Sequence, residues 1–488
     1  MRKQKIRNPE AVGWKEYFGV TALSTTSGVA AIFMSSLFMQ YMTDYAGLGA
    51  WGATLATILL LVARLFDAID DPIQSMIMDN AKVGKHGKYK KFFLISIILT
   101  TVGTVLLYCL PERIASNPLL VTIWVIFFYL VYDIGASFYD GNLLYRTMTD
   151  DENERSKLVI GPRLWIMVLG IIGAAMIAMV VAIYQVVGSY DTAFAILVGA
   201  VMIIGALIAV IGWFMVKEKH IIAYEKDDKV RLRDFISLLK TNKAMVIYSC
   251  KNLFSGFILT LLFATPTYYV KWAFCADLST GEVDMGKFGL YSAVVSMMMM
   301  IPLLLGMFIA RPLMKKLGSP VRATRLLLIF QALGGGILFI AQITGILAKT
   351  PLLFFLAMFV MALAIGTDFI PQSVVEMEIM DYTIYKTGKD RSALSGVLNK
   401  FLTKAQTAVS SALIGAVLVA IGYNVDSVTG DYVGDLANMP AMLNWFIVIM
   451  GLIPCILGVI ACLIYKFYPI SNETRSDMKK YLEEHSLK

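Results

Sequence analysis

The chain has 488 residues, of which 58% are hydrophobic and only 16% are charged. This balance excludes an ordinary soluble globular protein and predicts a protein that crosses a membrane several times. The formal net charge of +8 does not indicate nucleic-acid binding, because the basic residues form short clusters between apolar runs. The five cysteines are scattered and show no CxxC spacing, so neither a disulfide framework nor a zinc site is indicated.

Apolar stretches long enough to cross about 30 Å of hydrocarbon as helices recur along almost the whole chain. We therefore predict an all-α membrane protein embedded in a lipid bilayer, with about twelve transmembrane helices. Their predicted cores are residues 18–44, 51–78, 91–110, 118–147, 158–187, 191–217, 244–273, 287–314, 321–344, 351–378, 393–421 and 439–467.

The connections between these runs alternate in their content of lysine and arginine. KVGKHGKYKK and YKTGKDR are basic, whereas VGSYDT and YNVDSVTGDYVGDLANMP contain neither residue. The positive-inside rule then places both termini in the cytoplasm and predicts a multi-pass protein of the cell membrane. KVGKHGKYKK is either a positive-inside loop with no further role or a gate that ties helix ends together.

A long connection near residues 218–243 divides the chain into two parts of six predicted helices each. DDENERSKL in the first part resembles KTGKDRSAL in the second, as expected for parallel repeats. This organisation is typical of the major facilitator fold. We predict an N-terminal bundle at 1–217, a cytoplasmic linker at 218–243, a C-terminal bundle at 244–468 and a cytoplasmic tail at 469–488.

The segment ARLFDAIDDP places charges inside the second apolar run. Asp67 and Asp71 lie four residues apart on one helix face, with Arg64 one turn before Asp67. Because a charge at the bilayer centre costs about 2.5 to 3.5 kcal/mol, this face must line a protein interior or an aqueous cavity. The aspartates are predicted to bind a small cation or to share a proton. The alternative is an ion pair that only fixes helix packing.

The fourth predicted helix contains a second set of acidic and aromatic residues. Asp133 and Asp140 lie seven residues apart on one face, and Tyr132 adjoins Asp133. An acid beside an aromatic ring is a common arrangement for binding sugar hydroxyls and ring faces. Hydrogen bonds that only fix helix packing are the alternative for both aspartates.

Charges also lie inside the predicted helices of the second half. Lys400 and Lys404 share one helix face, although Lys400 could extend to the membrane surface without a further role. Asp368 lies in the tenth predicted helix, so each half offers a carboxylate toward the middle of the membrane. We assign these three residues, together with Arg64 and Asp140, to coupling or gating.

Taken together, these segments resemble the glycoside-pentoside-hexuronide:cation symporters over nearly the whole chain. The strongest match is ARLFDAIDDPIQSMIMDN, which is similar to the R-x-x-D-A-[IV]-N-D-P-x-x-G segment of that family. The supporting stretches are QYMTDYAGL, ERSKLVIGPR, MDYTIYKTGKDR and FLTKAQ. The resemblance implies the major facilitator fold and transport by alternating access.

The resemblance also implies roles for individual residues at the cation site. Asp67 and Asp71 match the two cation-binding carboxylates, which would bind Na+ as a metal site if coupling uses sodium. Asp133 matches an acidic residue that contacts the sugar beside the cation, and Lys404 matches a lysine close to the cation. This sequence departs from the family at Leu130, where sodium-coupled members have a hydroxyl ligand. The expected coupling ion is therefore Na+ or H+, with Li+ as a third candidate.

At the sugar site, the resemblance assigns Arg163 and places Phe369 where the melibiose carriers have a tryptophan. Those carriers use a Lys-Asp pair in the first helix, whereas this chain has Thr25 and Thr26 near that position. Melibiose is therefore not the expected substrate. Thr25, Thr26 and Tyr132 complete the predicted substrate-binding set.

We thus expect a cation-coupled symporter for a glycoside, pentoside or hexuronide, which needs no cofactor and acts as a monomer. A major facilitator carrier for a lysolipid or another organic solute is the alternative. An enzyme is not expected, because the sequence has no HExxH motif, no glycine-bounded nucleophile and no histidine inside a predicted span.

Overall fold

The computed structural model describes residues 11–38, 41–42, 55, 70–85, 87–115, 117–174, 176–221, 231–421, 423 and 431–485. Within these residues the chain is almost entirely helical, and its only β-bridges are the isolated pairs Gly84 with Gly87 and Ala276 with Val283. Eight of the described helices are long and apolar enough to cross a membrane. The all-α prediction is confirmed. Most of the predicted second span lies outside the described residues.

The chain groups into two compact units. The first consists of Met1–Leu238, Glu376–Val397 and Asn472–Lys488, and the second of Leu239–Val375 and Leu398–Ser471. The helices Pro351–Thr387 and Ser392–Ala420 therefore each contribute residues to both units. The predicted domain boundaries, which follow sequence order, stay a prediction.

The helices of the first unit follow the predicted apolar runs closely. They are Trp14–Leu23, Thr25–Ile32, the π-helical turn Phe33–Leu37, residues 70–79, Lys90–Leu107, Glu112–Ala115, Pro118–Ser137, Gly141–Met148, Glu152–Ala174, Met176–Val187, Tyr190–Met215, the start of Leu232–Thr241, and Asn472–His485. The predicted span 118–147 is interrupted at residues 138–140, where Asp140 starts a separate helix.

Close helix packing in the first unit positions Asp133 on the 118–137 helix. A side chain at Gly103 would overlap the backbone of Tyr132, and a Cβ at Gly135 would lie 2.6 Å from the backbone nitrogen of Thr100. Only glycine allows backbones to approach this closely. These two contacts hold the 118–137 helix against the 90–107 helix on either side of Asp133.

The second unit contains the longer helices. They are Lys243–Ala264, Pro266–Phe274, Met285–Leu317, Pro320–Ile343, Ile346–Lys349, Pro351–Thr387, Ser392–Ala420, the 3-10 turn Leu436–Asn438, Met439–Ile447, the π-helical turn Val448–Leu452, Ile453–Ile464 and the 3-10 turn Tyr465–Phe467. A side chain at Gly366 would overlap the backbone of Leu303, so the 351–387 helix packs tightly on the 285–317 helix just before Asp368.

Candidate functional site

The second unit contains a cavity of about 150 Å³, called here the polar cavity because nine of its thirteen lining residues have polar side chains. Asp368 and Phe369, both predicted site residues, line it. The other lining residues are Asn252, Ser255, Gly256, Leu259, Thr260, Gln331, Ile365, Gln372, Asn399, Thr403 and Gln406. The structure thus brings a carboxylate, an aromatic ring and several amides together around one small space.

The amides of this cavity are held in fixed positions. The Nδ2 of Asn252 donates to the Oδ1 of Asn399 at 2.6 Å, which links the 243–264 and 392–420 helices. The Nε2 of Gln406 donates to the backbone oxygen of Leu253 at 3.0 Å and also to that of Asn252. The Nε2 of Gln372 donates to the Oδ2 of Asp368 at 2.6 Å. A preformed set of polar groups of this kind is typical of a small-molecule site.

The two predicted lysines lie on the same helix as two lining residues. Lys400 is partly buried and follows Asn399, while Lys404 follows Thr403. The side chain of Lys404 lies outside the described part of the structure. The helix therefore passes beside the cavity, and the proposed contact of Lys404 with a cation stays a prediction.

The first unit buries most of the other predicted site residues that the structure describes. Thr25 and Thr26 are each 2% exposed, Asp71 is 4% exposed and Asp133 is 9% exposed. Asp67 and Arg64 lie outside the described residues, so the expected pairing of Asp67 with Asp71 remains a prediction. Among the described residues, no three histidine, cysteine, aspartate or glutamate side chains are grouped to bind a metal ion.

The first predicted span packs against the helix that contains Arg163. The Nε1 of Trp165 donates a hydrogen bond to the Oγ1 of Thr25 at 2.9 Å. A Cβ at Gly28 would lie 3.1 Å from Ile166, so the two helices are in close contact along this stretch. Arg163 is partly buried two residues before Trp165. The structure thus places the predicted threonines beside the predicted arginine-bearing helix.

The fourth predicted span contains Tyr132 and Asp140 in different local settings. Tyr132 is partly buried, with its ring centroid 5.9 Å from that of Tyr129 in an edge-to-face arrangement. The Oδ1 of Asp140 accepts a hydrogen bond from the backbone N–H of Leu143 at 3.1 Å, so Asp140 is the N-cap of the Gly141–Met148 helix. This contact gives Asp140 a structural role at the start of that helix.

The first unit contains a buried network of charges whose pairing the sequence did not predict. The Nζ of Lys88 lies 2.9 Å from the Oδ2 of Asp390, and the Tyr89 hydroxyl donates to the same oxygen at 2.9 Å. The Nη1 of Arg146 is 3.6 Å from the Oδ1 of Asp390. The Asp79 carboxylate accepts hydrogen bonds from the backbone N–H groups of residues 393 and 394. The basic loop and the 388–394 segment are therefore held together by buried ionic contacts.

A second carboxylate extends this network. The Asp381 carboxylate accepts hydrogen bonds from the Nε of Arg146 at 2.8 Å and from the Nη1 of Arg155 at 2.6 Å. Arg155 also pairs with Asp150 at 3.2 Å, and His220 lies 2.8 Å from the same aspartate. The basic loop KVGKHGKYKK and the segment MDYTIYKTGKDR gave a signal for these residues, but only the structure shows which charges pair.

Burial shifts the pKa values of acidic groups at this network. Burial raises the pKa of Asp79 to about 7, although Lys88 opposes the shift. Burial also raises the pKa of Glu218 above its usual range, against three backbone N–H donors from residues 88 to 90. For Asp150, burial acts to raise the pKa, but the hydrogen bond from His220 and the charge of Arg155 outweigh it and lower the value.

The known proteins to which this chain is similar in sequence are transporters. A family model described as MFS/sugar transport protein matches residues 18–472. An uncharacterised symporter of Bacillus subtilis (strain 168), YjmB, is 27% identical over 403 residues, which cover 79% of this chain and 78% of the relative. The lactose permease of Lactobacillus helveticus is 26% identical over 261 residues, covering 50% of this chain and 40% of the permease.

Solved structures with the same fold are also transporters. A variant of the Escherichia coli fucose:proton symporter FucP superposes with a TM-score of 0.62 at 12% identity, covering 93% of this chain and 98% of the symporter. A bacterial homologue of the iron transporter ferroportin, in an outward-facing state, superposes with a TM-score of 0.60 at 11% identity, covering 94% and 99% of the two chains. These likenesses confirm the predicted major facilitator fold.

Proposed function

We propose that this chain, which belongs to the MFS/sugar transport protein family, is a cation-coupled symporter of a glycoside, pentoside or hexuronide. The chain is a multi-pass membrane transporter, not an enzyme. We further propose that the transporter lies in the cell membrane and has both termini in the cytoplasm.

The observation that carries the proposal is the small polar cavity of the second unit. Its volume of about 150 Å³ lies below the roughly 300 to 1,000 Å³ of sites for drug-sized ligands. Its amides, hydroxyls and carboxylate can form hydrogen bonds, and Phe369 adds an aromatic side chain to the lining. A sugar ring has polar edges and apolar faces, so this combination suits it. A lysolipid would require a longer apolar channel.

In this proposal the cation is coupled to the solute through the first unit. Asp67 and Asp71 would bind Na+ or H+, with Li+ as a further candidate, and Asp133 would contact both cation and sugar. A cation at these carboxylates reduces their mutual repulsion and orders Asp133 for the solute. Because linkage is reciprocal, each ligand then raises the affinity for the other by the same factor.

The buried ionic network supports alternating access. Separating a buried ion pair costs free energy, because each charge then stays buried without its partner. The contact between Lys88 and Asp390 therefore favours one closed arrangement of the chain. We propose that the network is a gate on the side of the basic loops. Binding of solute and cation would supply the energy that opens it.

The test is uptake of labelled glycosides, pentosides and glucuronides into vesicles containing the purified protein. Each solute is measured with and without an inward Na+ gradient, and at two external pH values. Stimulation of a sugar by Na+ or by low external pH supports symport and identifies the ion. Uptake of lysolipid but of no sugar would instead support the alternative substrate class.

Asp133→Asn and Arg163→Gln separate these substrate classes further. A sugar carrier should lose uptake in both variants, because these polar groups bind hydroxyls in the proposal. A lysolipid carrier should tolerate both changes better. Asp67→Asn and Asp71→Asn test the cation site, since full cation-stimulated uptake by either variant would contradict its assignment.

A further inference from the structure

Asp368 is a buried carboxylate whose hydrogen-bonding capacity is only partly used. It is 1% exposed and lines the polar cavity of the second unit. Its Oδ2 accepts the hydrogen bond from Gln372, whereas its Oδ1 has no hydrogen-bond partner within the described part of the chain. Leaving a buried acceptor unsatisfied costs about 1 to 3 kcal/mol, and more for a charged group. A bound donor would remove this cost.

A second acceptor in the same cavity is also short of a donor. Asn252 uses its Nδ2 to hold Asn399, and its Oδ1 is buried with no hydrogen-bond partner among the described residues. The nearby amide of Gln406 donates to backbone oxygens of the 243–264 helix. Two fixed acceptors, Asp368 Oδ1 and Asn252 Oδ1, therefore await donors from a ligand.

The charge of the lining also favours one class of ligand. Asp368 is the only ionisable residue that lines the cavity in the described structure. A hydroxyl group donates to an acceptor, whereas a ligand carboxylate at neutral pH offers only acceptors and adds a second negative charge. Like charges held close together in a poorly solvated space repel strongly.

Building on the function proposed above, we propose that this cavity is a subsite for an uncharged, hydroxyl-bearing sugar ring. Asp368 and Asn252 accept hydrogen bonds from ring hydroxyls, and Phe369 packs against the apolar face of the ring. Asp368 is then a specificity-determining residue that admits neutral glycosides and pentosides and disfavours hexuronides. Gln372 positions its carboxylate.

The experiment compares matched neutral and acidic sugars on the full-length protein in vesicles. Methyl glucoside and methyl xyloside are measured against methyl glucuronide, both as competitors of labelled sugar uptake and by calorimetric binding at pH 7. Wild type should prefer the neutral sugars. Asp368→Asn should weaken neutral-sugar binding by about tenfold or more, the loss expected for a hydrogen bond to a charged group. The same variant should also lower the ratio of the affinity for neutral sugars to the affinity for the acidic sugar.

Two further variants make the result specific. Asp277→Asn changes an exposed aspartate in the same unit and should leave both affinities unchanged. Asp368→Glu retains the charge and should retain the preference for neutral sugars even if binding weakens. The unfolding temperature of each purified variant, measured in detergent, shows that a loss of binding is not a loss of folding.

The outcomes separate the inference from the function on which it rests. If wild type transports sugars but Asp368→Asn keeps the wild-type ratio of neutral to acidic affinity, the inference is wrong and the proposed function stands. Intact sugar binding in Asp368→Asn, with only the stimulation by low pH lost, would make Asp368 a proton site and would also overturn the inference. If wild type neither binds nor transports any of these sugars, both proposals fail.

Discussion

Lys88 and Asp390 lie 302 residues apart in sequence, yet the lysine Nζ and the aspartate Oδ2 are 2.9 Å apart with both side chains 2% exposed. Asp390 also forms an ion pair with Arg146 and accepts a hydrogen bond from the Tyr89 hydroxyl. Such a pair holds two distant parts of the chain together. It contributes to stability mainly because either charge, left buried without the other, would cost several kcal/mol.

Removing either partner should therefore destabilise the protein unequally. Asp390→Asn removes the buried carboxylate that faces both Lys88 and Arg146, and it should lower the free energy of unfolding by about 3 to 5 kcal/mol. Lys88→Met should cost less, because Arg146 remains 3.6 Å from Asp390. Denaturation of the purified protein in detergent measures both values.

A matched exposed pair provides the control. Lys479 and Glu483 lie 4.0 Å apart in the same unit, with side chains 56% and 60% exposed. Lys479→Met should change the free energy of unfolding by less than about 1 kcal/mol. An equally small effect of Asp390→Asn would show that the buried pair adds nothing to stability.

In the basic loop, the backbone conformation requires a glycine at Gly87 but not at Gly84. Gly87 has a φ of +109°, and a Cβ there would lie 2.5 Å from the carboxyl carbon of Glu218. Gly87→Ala should therefore combine backbone strain with a clash and cost about 1 to 3 kcal/mol. It should also displace Glu218 from the backbone N–H groups of Lys88 and Tyr89, to which it now accepts hydrogen bonds.

Gly84→Ala is the matched change in the same loop. Its nearest neighbour would be the backbone oxygen of Gly87 at 3.7 Å, an ordinary contact, and its φ is not positive. This variant should keep the wild-type unfolding temperature and uptake rate. Equal effects of the two alanines would argue against a special conformation at Gly87.

Much of the fold could be predicted from the sequence, because a long apolar run has few alternatives in a bilayer. The predicted span 191–217 is the helix Tyr190–Met215, and 321–344 is Pro320–Ile343. The helix predicted at 351–378 instead continues to Thr387. Its last turns are polar, and hydropathy does not detect a helix whose charges are satisfied by partners such as Arg146 and Arg155.

The candidate site was predictable only in part. Asp368 and Phe369 could be singled out because a charge and a family-matched aromatic position fall inside an apolar run. The amides of Asn252 and Gln406 gave no such signal, since neutral polar residues are common in helices. Their convergence depends on packing between helices about 150 residues apart in sequence, which a single sequence does not report.

Asp79 should make stability depend on pH near neutrality. It is fully buried, and burial raises its pKa to about 7, whereas an unfolded aspartate titrates near 3.8. The folded state therefore binds this proton more tightly than the unfolded state. The resulting stabilisation is present at low pH and is lost as the pH rises toward 7.

Asp79→Asn removes this titration while keeping the shape of the side chain. The free energy of unfolding of wild type should fall relative to this variant between about pH 5 and pH 7 and then change in parallel with it above about pH 8. Asp277→Asn should differ from wild type by a constant amount over the same range, because hydrogen bonds from Ser279 lower the pKa of that exposed aspartate. A constant offset for Asp79→Asn would contradict the prediction.

The two aspartates of the fourth predicted span should differ in transport. Asp140 accepts the N–H of Leu143 as a helix N-cap, and asparagine caps helices about as well as aspartate does. Asp140→Asn should therefore keep the wild-type uptake rate, while Asp140→Ala should lose about 1 kcal/mol of stability. Asp133 is instead proposed to bind cation and sugar, so Asp133→Asn should reduce cation-driven uptake by about tenfold or more. Uptake and unfolding temperature are measured on the same vesicle and detergent preparations. A loss of coupling in Asp140→Asn at unchanged unfolding temperature would support the predicted coupling role of Asp140, since the cap alone explains no such effect.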